Sequence, residues 1–294
     1  MKRSYWPIFA LAPLAAVAFY FVSPATQPDE PQADAKSQNA ATRAMEELKE
    51  AEDLIADLPP GLAAPDKKEL ARQIVATAEN STRKWNTLYG HIDDGGDGDG
   101  YCGGIVGFCS GTLDMLTLVE SYTKEHPGNG LAGYLPALRK VNGSDSHEGL
   151  DPGFTAAWKK ESEIPAFREA QDAADNSMYF KPAVDLAKMD GLGTLGQFIY
   201  YDAMVLHGPG TERNSFYEIR ERVMAKADTK AEGGDETTYL NAFLDTCRQV
   251  MQESKSDRET SRIDTAQRVF LRDGNLELKA PLTWQMYGET FRSA

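Results

Sequence analysis

The chain has 294 residues, of which 41% are hydrophobic and 10% aromatic, enough for one substantial core or for two lobes that share a cleft. Its formal net charge of -14 at pH 7 argues against nucleic acid or anionic lipid as a partner and would attract polycations to the surface. An acidic surface that only keeps the protein soluble explains the same net charge, so the charge alone does not show that the partner is a polycation.

The first 25 residues have the pattern of an export signal. Two basic residues precede an apolar run from Tyr5 to Val22, and small residues at positions 23–25 suit a cleavage site. The run is long for a signal core and short for a membrane span, so a cleaved signal peptide and an uncleaved anchor both remain open. Either one predicts a secreted or periplasmic protein that contacts a membrane only through this segment.

Residues 26–60 are predicted to form a linker. Thr26 to Thr42 is rich in Gln, Pro, Asp and Ala and poor in large apolar residues. Arg43 to Asp57 has the spacing of a short amphipathic helix, which Pro59 and Pro60 would end. We expect the folded domain to occupy residues 61–294.

Helical spacing dominates that domain. Asp66 is a good N-cap for a helix that ends near Glu79, and further helices are predicted over Leu113 to Tyr122, Ala183 to Leu206, Tyr217 to Ala227 and Thr237 to Glu253. Strand signals are few, the best being near Ile105–Val106 and Leu276–Leu278, and a small β-hairpin is expected near the glycine-rich segment. The predicted fold class is mainly α with a small β-hairpin, the α+β pattern of lysozyme-like two-lobed proteins.

Two carboxylates have the arrangement that glycosidic hydrolysis requires. Glu79 stands at a helix end, and Asp97 stands on a glycine-rich loop 18 positions later. In such a pair one acid protonates the departing oxygen while the other group activates water or attacks the sugar. The glycines allow the backbone to approach a sugar closely.

The aspartates of this loop have more ordinary explanations as well. Aspartate beside glycine is common in turns. An EF-hand calcium loop starting at Asp93 would place Gly104 at its twelfth position, where glutamate is required, so that frame fails. No CxxC or histidine-rich spacing and no cofactor motif is present, so we expect no metal and no cofactor.

Several longer motifs make the interpretation specific. They include AENS, GDGDGY, GFCSGT, GTLGQFIYYDA, HGPG, GGDETTYLN and TSRIDT, in this order along the chain. Together they resemble the family-46 chitosanases from about Gly61 to the C-terminus. The resemblance implies a lysozyme-like fold of two mainly helical lobes with a substrate cleft between them. It also implies endo-hydrolysis of β-1,4 glycosidic bonds in chitosan, a glucosamine polymer, with inversion at the anomeric carbon.

The resemblance also implies roles for individual residues. Glu79 of AENS corresponds to the general acid, and Asp97 of GGDG to the general base. Asn80, Asp114 and His207 are implied to bind substrate, Asp114 by recognising an amine.

Behind the acid, Asp202 of YYDA is implied to be buried and paired with Arg262 of TSR. The apolar neighbours of Asp202 agree, because a buried carboxylate needs a partner.

Three positions depart from the family pattern. A basic residue usually stands where this chain has Asp99, and a threonine that helps to hold the attacking water usually stands where it has Cys102. A second arginine that supports the acid falls at Cys247, with Arg248 beside it.

Three cysteines in an exported chain permit one disulfide and leave one thiol. By the resemblance, Cys102 and Cys247 both stand near the acid and the water, so we consider a Cys102–Cys247 disulfide. The alternative, which we favour, is that they are two independent small residues, with Cys102 a lone thiol near the water. Cys109 is expected to be a buried thiol.

Three functions remain open at this stage. The first is an exported chitosanase that acts as a monomer on chitosan or its oligosaccharides. The second is a hydrolase of another amino-sugar polymer on the same fold, which the changes at Asp99 and Cys102 motivate. The third is a non-catalytic protein that binds a polycationic polysaccharide.

Overall fold

A computed structural model describes residues 49–50, 52–254 and 258–293. The predicted export segment and most of the predicted linker lie outside the described residues. Of the short helix predicted over Arg43 to Asp57, residues 49–50 and 52–56 are described and are helical. Within the described ranges, no helix combines the length and the apolar character needed to cross a membrane.

Helices make up most of the described domain. In chain order they are α1 (Pro65–Asn80), α2 (Asp114–Glu125), α3 (Leu135–Val141), α4 (Phe154–Glu161), α5 (Pro165–Asp175), α6 (Lys181–Met189), α7 (Thr194–His207), α8 (Phe216–Met224), α9 (Glu236–Ser254) and α10 (Arg268–Arg272). Two π-helical turns, Asn176–Phe180 and Arg262–Gln267, connect α5 to α6 and precede α10.

Two small antiparallel sheets complete the domain. The first has the order β1 (Ile92–Asp94), β2 (Tyr101–Gly103) and β3 (Phe108–Cys109), and the second pairs β4 (Thr283–Met286) with β5 (Glu289–Arg292). The hairpin expected near the glycine-rich segment is therefore confirmed.

The two strand positions predicted from apolar residues were wrong. Ile105 and Val106 form the turn between β2 and β3, and Leu276–Leu278 precedes β4. Ile105 and Val106 are buried, so their apolar character reflects the core rather than a strand.

The predicted helix boundaries also need correction at two places. Helix α1 begins at Pro65, with Ala64 as its N-cap, so Asp66 lies inside the first turn and is not the cap. The apolar region predicted over Ala183 to Leu206 is two helices, because the chain turns between Met189 and Thr194 with Gly191 at a φ of 74°. Helix α1 ends as predicted just after Glu79, and Ser81 closes it in the left-handed conformation with its N–H donating to the carbonyl of Thr77 at 3.2 Å.

One continuous hydrophobic core joins the elements. Helix α7 is buried from Thr194 to Met204. The C-terminal hairpin packs against α1, and the indole of Trp284 on β4 donates a hydrogen bond to Thr77 on α1 at 3.0 Å. The predicted fold class, mainly α with small antiparallel sheets, is confirmed, and the end of α1 that carries Glu79 is held by the opposite end of the chain.

Candidate active site

Glu79 is fixed at the end of α1 with its carboxylate partly open to solvent. The side chain is 24% exposed, and Oε1 accepts a hydrogen bond from Nη2 of Arg262 at 2.5 Å. Oε2 lies against the turn between β2 and β3, since a Cβ added to Gly107 would stand 3.5 Å from it. Gly107 has a φ of 74°, which favours glycine there. A partly exposed carboxyl held on one side is suited to give a proton to a bound molecule.

A buried ion-pair network lies behind Glu79. The guanidinium of Arg262 donates from Nε to Asp202 at 3.0 Å, and Gln267 donates from Nε2 to the second oxygen of Asp202 at 2.5 Å. Asp202 is 2% exposed and Arg262 8%. The structure therefore brings together Glu79, Asp202 and Arg262, as the resemblance implies, although their positions span 183 residues of the chain. We call these three residues and Gln267 the acid network.

Local backbone geometry explains why Arg262 and Gln267 reach the same carboxylate. They are the first and last residues of the second π-helical turn. In an α-helix, side chains five residues apart point to different faces, because only i+3 and i+4 neighbours align. The i→i+5 winding of a π turn brings such residues closer together, and π turns occur often at functional sites.

Burial sets the electrostatics of the network. It raises the pKa of Asp202, against the attraction of Arg262 and the hydrogen bonds from Arg262 and Gln267. Burial alone would lower the pKa of Arg262, but the charges of Asp202 and Glu79 raise it, so the guanidinium stays protonated. One cation is thus shared by two carboxylates.

The ion pairs among Glu79, Asp202 and Arg262 form although position 247 is a cysteine. Cys247 is buried on α9, where burial and then the charge of Asp202 raise the pKa of its thiol, so it stays protonated. Arg248 does not take the place of the missing arginine, because it pairs with Asp264 at 2.9 Å and with Gln252. Besides Arg262, Gln267 donates a side-chain hydrogen bond to Asp202.

Asp97 lies on the exposed loop between β1 and β2. Its Oδ1 accepts a hydrogen bond from the backbone of Asp99 at 3.4 Å. The side chain of Asp99 is half-buried, and burial, together with the charge of Asp97, raises its pKa, while Arg258 opposes the shift. An exposed carboxylate on a glycine-rich loop is suited to accept a proton from water.

The cysteine predictions were wrong in three respects. Cys102 is bonded to Cys109, with a Cα–Cα distance of 4.0 Å, and Cys247 is a buried free thiol. The Cys102–Cys247 disulfide is therefore excluded, so the favoured alternative that these two cysteines are not joined is confirmed, but Cys109 is not a thiol. Cys102 is not a lone thiol either, so the expectation that a lone thiol stands near the water falls with it. The reason is register: Cys102 on β2 faces Cys109 on β3 directly.

Asp114 lies at the first position of α2 and is held by protein donors. Its Oδ1 accepts from the backbone N–H groups of Cys109 and Met115 and from the hydroxyl of Thr112, and Oδ2 accepts from the hydroxyl of Tyr179 at 2.6 Å. Burial raises the pKa of Asp114, and these donors oppose the shift. Its recognition of a substrate amine stays a prediction.

His207 and Asn80 end two different helices. Asn80 is the last residue of α1 beside Glu79, and His207 is the last residue of α7. Burial, and then the nearby charges of Arg262 and Arg258, lower the pKa of His207 to about 3, so the imidazole is neutral. Its Nε2 is buried and has no hydrogen-bond partner among the residues that the structure describes. Substrate binding by either residue stays a prediction.

The sequence interpretation missed residues that the structure places in contact with the site. The hydroxyl of Tyr287, at the tip of the C-terminal hairpin, donates to the carbonyl of Ala78 at 2.6 Å, and its backbone N–H donates to Ser261. Tyr287 thus connects the residue before Glu79 with the residue before Arg262. It is 51% exposed and has a φ of 51°, which is rare for a tyrosine. Tyr-Gly in a short alternating segment is a turn signal, but nothing in the sequence ties it to Glu79.

No group of three or more histidine, cysteine, aspartate or glutamate side chains suited to hold a metal was found among the residues that the structure describes. The described residues offer one carboxyl group, that of Glu79, which is backed by a buried cation, and a second, that of Asp97, which is exposed on the glycine-rich loop between β1 and β2.

Comparison with known proteins assigns this arrangement to a family. The family model described as glycosyl hydrolase family 46 matches residues 73–282. A chitosanase from a Streptomyces species is 55% identical over 231 residues, which cover 79% of this chain and 83% of that protein.

Solved structures agree with the sequence match. A structure titled as a chitosanase complex superposes with a TM-score of 0.78 at 49% identity, covering 80% of this chain and 100% of that one. The chitosanase of Gynuella sunshinyii in complex with chitotetraose superposes with a TM-score of 0.73 at 31% identity, and the match covers 78% of this chain and 98% of that one. The chain therefore belongs to glycosyl hydrolase family 46 and is a glycoside hydrolase with the lysozyme-like α+β fold.

Proposed function

We propose that this enzyme hydrolyses internal β-1,4 bonds of chitosan with inversion, using Glu79 as general acid and Asp97 as general base. The observation that carries the proposal is the carboxylate of Glu79, which is partly exposed at a helix end and held from behind by the acid network. The Streptomyces relative named as a chitosanase and the Gynuella chitosanase bound to chitotetraose support the substrate class. The net charge of -14 suits a polycation.

The proposed step balances without a cofactor. The proton of Glu79 passes to the glycosidic oxygen as the bond from C1 to that oxygen breaks. A water oxygen bonds to C1 from the opposite face of the sugar, and Asp97 accepts its proton. The carboxyl groups of such inverting pairs are about 6.5–9.5 Å apart, which leaves room for the water.

The test compares matched carboxamide variants on chitosan. Glu79→Gln and Asp97→Asn should each lower kcat by about 100-fold or more, because each removes a proton-transfer group, while the melting temperature changes little. Asp93→Asn is the control, since Asp93 is an exposed aspartate on β1 of the same loop region and should change kcat far less. Full activity of Asp97→Asn would remove Asp97 from the base role.

Product analysis by NMR tests the stereochemistry and the alternatives. Inversion of a β bond releases the α-anomer first, and early release of the β-anomer would contradict the mechanism. Faster cleavage of a galactosamine polymer than of chitosan would favour the second candidate substrate. Binding of chitosan without release of reducing ends would favour a non-catalytic role.

We also propose that the enzyme works outside the cytoplasm. The Cys102–Cys109 disulfide supports this location, because disulfides persist mainly in oxidising compartments. The predicted export signal at residues 1–25 agrees. Mass spectrometry of protein recovered from the periplasm and the culture medium would test the location and identify the mature N-terminus. Recovery of the protein only from the cytoplasm would contradict it.

A further inference from the structure

The Cys102–Cys109 disulfide occupies the shortest part of the first sheet. Strands β2 and β3 share only two residue pairs, Cys102 with Cys109 and Gly103 with Phe108. Hairpins this short are marginal in water without additional support. The bond therefore joins the two strands at the pair that is farther from the turn.

On one side, the strand pair leads to the turn that faces the acid. Residues 104–107 connect β2 to β3, with Gly104 and Gly107 both at positive φ. Gly107 borders Oε2 of Glu79. A change in the relative position of β2 and β3 would therefore move the wall beside the carboxyl group that gives the proton.

On the other side, the strand pair leads to the loop that carries Asp97. The N–H of Ser110 donates to the carbonyl of Tyr101 at 2.8 Å, and the N–H of Gly111 donates to the carbonyl of Asp99 at 2.9 Å. The N–H of Asp99 donates in turn to Asp97. The residues that follow Cys109 thus hold the end of the base-bearing loop.

Ordering the loop that carries Asp97 costs much conformational entropy because the loop is rich in glycine. Positions 95, 96, 98 and 100 are all glycine, and Gly96, Gly98 and Gly100 have positive φ. Glycine loses more conformational freedom on folding than any other residue, so backbone hydrogen bonds alone define such a loop weakly. An inverting mechanism nevertheless needs the acid and the base at a defined separation.

We propose that the Cys102–Cys109 disulfide is a positioning element of the active site, which fixes the Gly107 turn beside Glu79 and the loop of Asp97 at one mutual spacing. The proposal rests on the proposed function. The disulfide does not touch the reacting atoms, and it acts through the hairpin. Both cysteines are only half-buried, so a reductant can reach the bond.

The experiment measures turnover of glucosamine hexamer by oxidised and reduced enzyme. A phosphine reductant converts the disulfide to two thiols and is itself oxidised, and thiol counting should show one free thiol before treatment and three after it. Reduction should lower kcat by about 10- to 100-fold and change KM by less than about threefold, because misplaced catalytic groups affect the chemical step more than binding. Removal of the reductant and reoxidation should restore kcat.

Two variants separate this bond from the third cysteine. The Cys102→Ala/Cys109→Ala enzyme should have the low kcat without reductant and should not respond to it. In Cys247→Ala, whatever its own turnover, the ratio of oxidised to reduced kcat should equal that of the unsubstituted enzyme.

Stability is separated from positioning by assaying each form below its own melting temperature, with circular dichroism as the check of folding. A reduced, folded enzyme that keeps kcat within twofold would overturn the proposal. A reduced chain that fails to fold at any temperature would also overturn it, since the bond would then be a folding requirement. An oxidised enzyme that does not cleave the hexamer or chitosan would refute the proposed function instead.

Discussion

Arg262→Ala should destabilise the fold far more than removal of an ordinary surface ion pair. The variant would leave Asp202, which is 2% exposed, without its cation, and would free Glu79 as well. Breaking a buried ion pair by removing one partner costs about 3–5 kcal/mol. For a domain of this size each kcal/mol lowers the melting temperature by about 2–4 °C, so a shift of about 6–20 °C is expected.

Arg248→Ala is the matched control. Arg248 also pairs with an aspartate, Asp264, but the two side chains are 38% and 32% exposed. A pair this exposed contributes about 0–1 kcal/mol because solvent screens it. Thermal and denaturant unfolding of both variants at pH 7 give the comparison. A shift for Arg262→Ala no larger than that for Arg248→Ala would refute the argument from burial.

A second comparison isolates the charge of Asp202. The double variant Arg262→Ala/Asp202→Asn should recover part of the lost stability, because an uncharged amide needs no counter-charge. The loss in Arg262→Ala should also diminish at acid pH, where Asp202, whose pKa burial already raises, takes up a proton. If stability recovers in neither experiment, then lost packing, rather than the unpaired charge of Asp202, causes the instability.

Two further predictions concern His207 and Tyr287. The pKa of His207 falls from 6.5 to about 3 on folding. As the pH falls, the imidazole therefore takes up a proton in the unfolded chain before it does so in the folded protein. The stability from this neutral imidazole is thus present above pH 6.5 and is lost as the pH falls toward 3. Between pH 6.5 and 5 the enzyme should lose about 2 kcal/mol that His207→Gln does not lose, and equal losses in denaturant unfolding would contradict the shift. Tyr287→Phe removes the hydrogen bond to Ala78, so it should lower the free energy of unfolding by about 0.5–1.5 kcal/mol and also lower kcat. Unchanged denaturant unfolding and unchanged kinetics would show that this hydrogen bond does not support Glu79.

The sequence predicted those parts of the site that local patterns control. Helix α1 has a clear apolar spacing and ends where expected, so the position of Glu79 at a helix end followed directly. Glycines around Asp97 predicted an exposed loop, which the structure confirms. The pairing of Asp202 with Arg262 was predicted from the apolar neighbours of Asp202 together with the family resemblance, and it spans 60 residues that no local pattern connects.

The residues that the sequence did not predict sit on irregular backbone. Gln267 and Tyr179 belong to π-helical turns, whose winding breaks the 3.6-residue spacing on which helical faces are assigned. An i+5 pair such as Arg262 and Gln267 is invisible to that spacing. Tyr287 reaches Ala78 only because β4 and β5 fold back onto α1, which is a contact between distant parts of the chain.

The cysteine expectation failed because it rested on the family resemblance, which places Cys102 and Cys247 near the acid and the water, and no motif reports which cysteine lies opposite Cys102. In the structure the chain turns at residues 104–107, so Gly103 pairs with Phe108 and the next pair outward is Cys102 with Cys109. In an antiparallel pair the opposed Cβ atoms are about 4.5–5.5 Å apart, and a disulfide needs about 3.5–4.5 Å, so directly opposed cysteines can bond when the strands approach each other by about 1 Å. The register of this hairpin therefore determines that Cys102 bonds to Cys109 rather than to Cys247. Glycines at positive φ at both ends of the turn set that register.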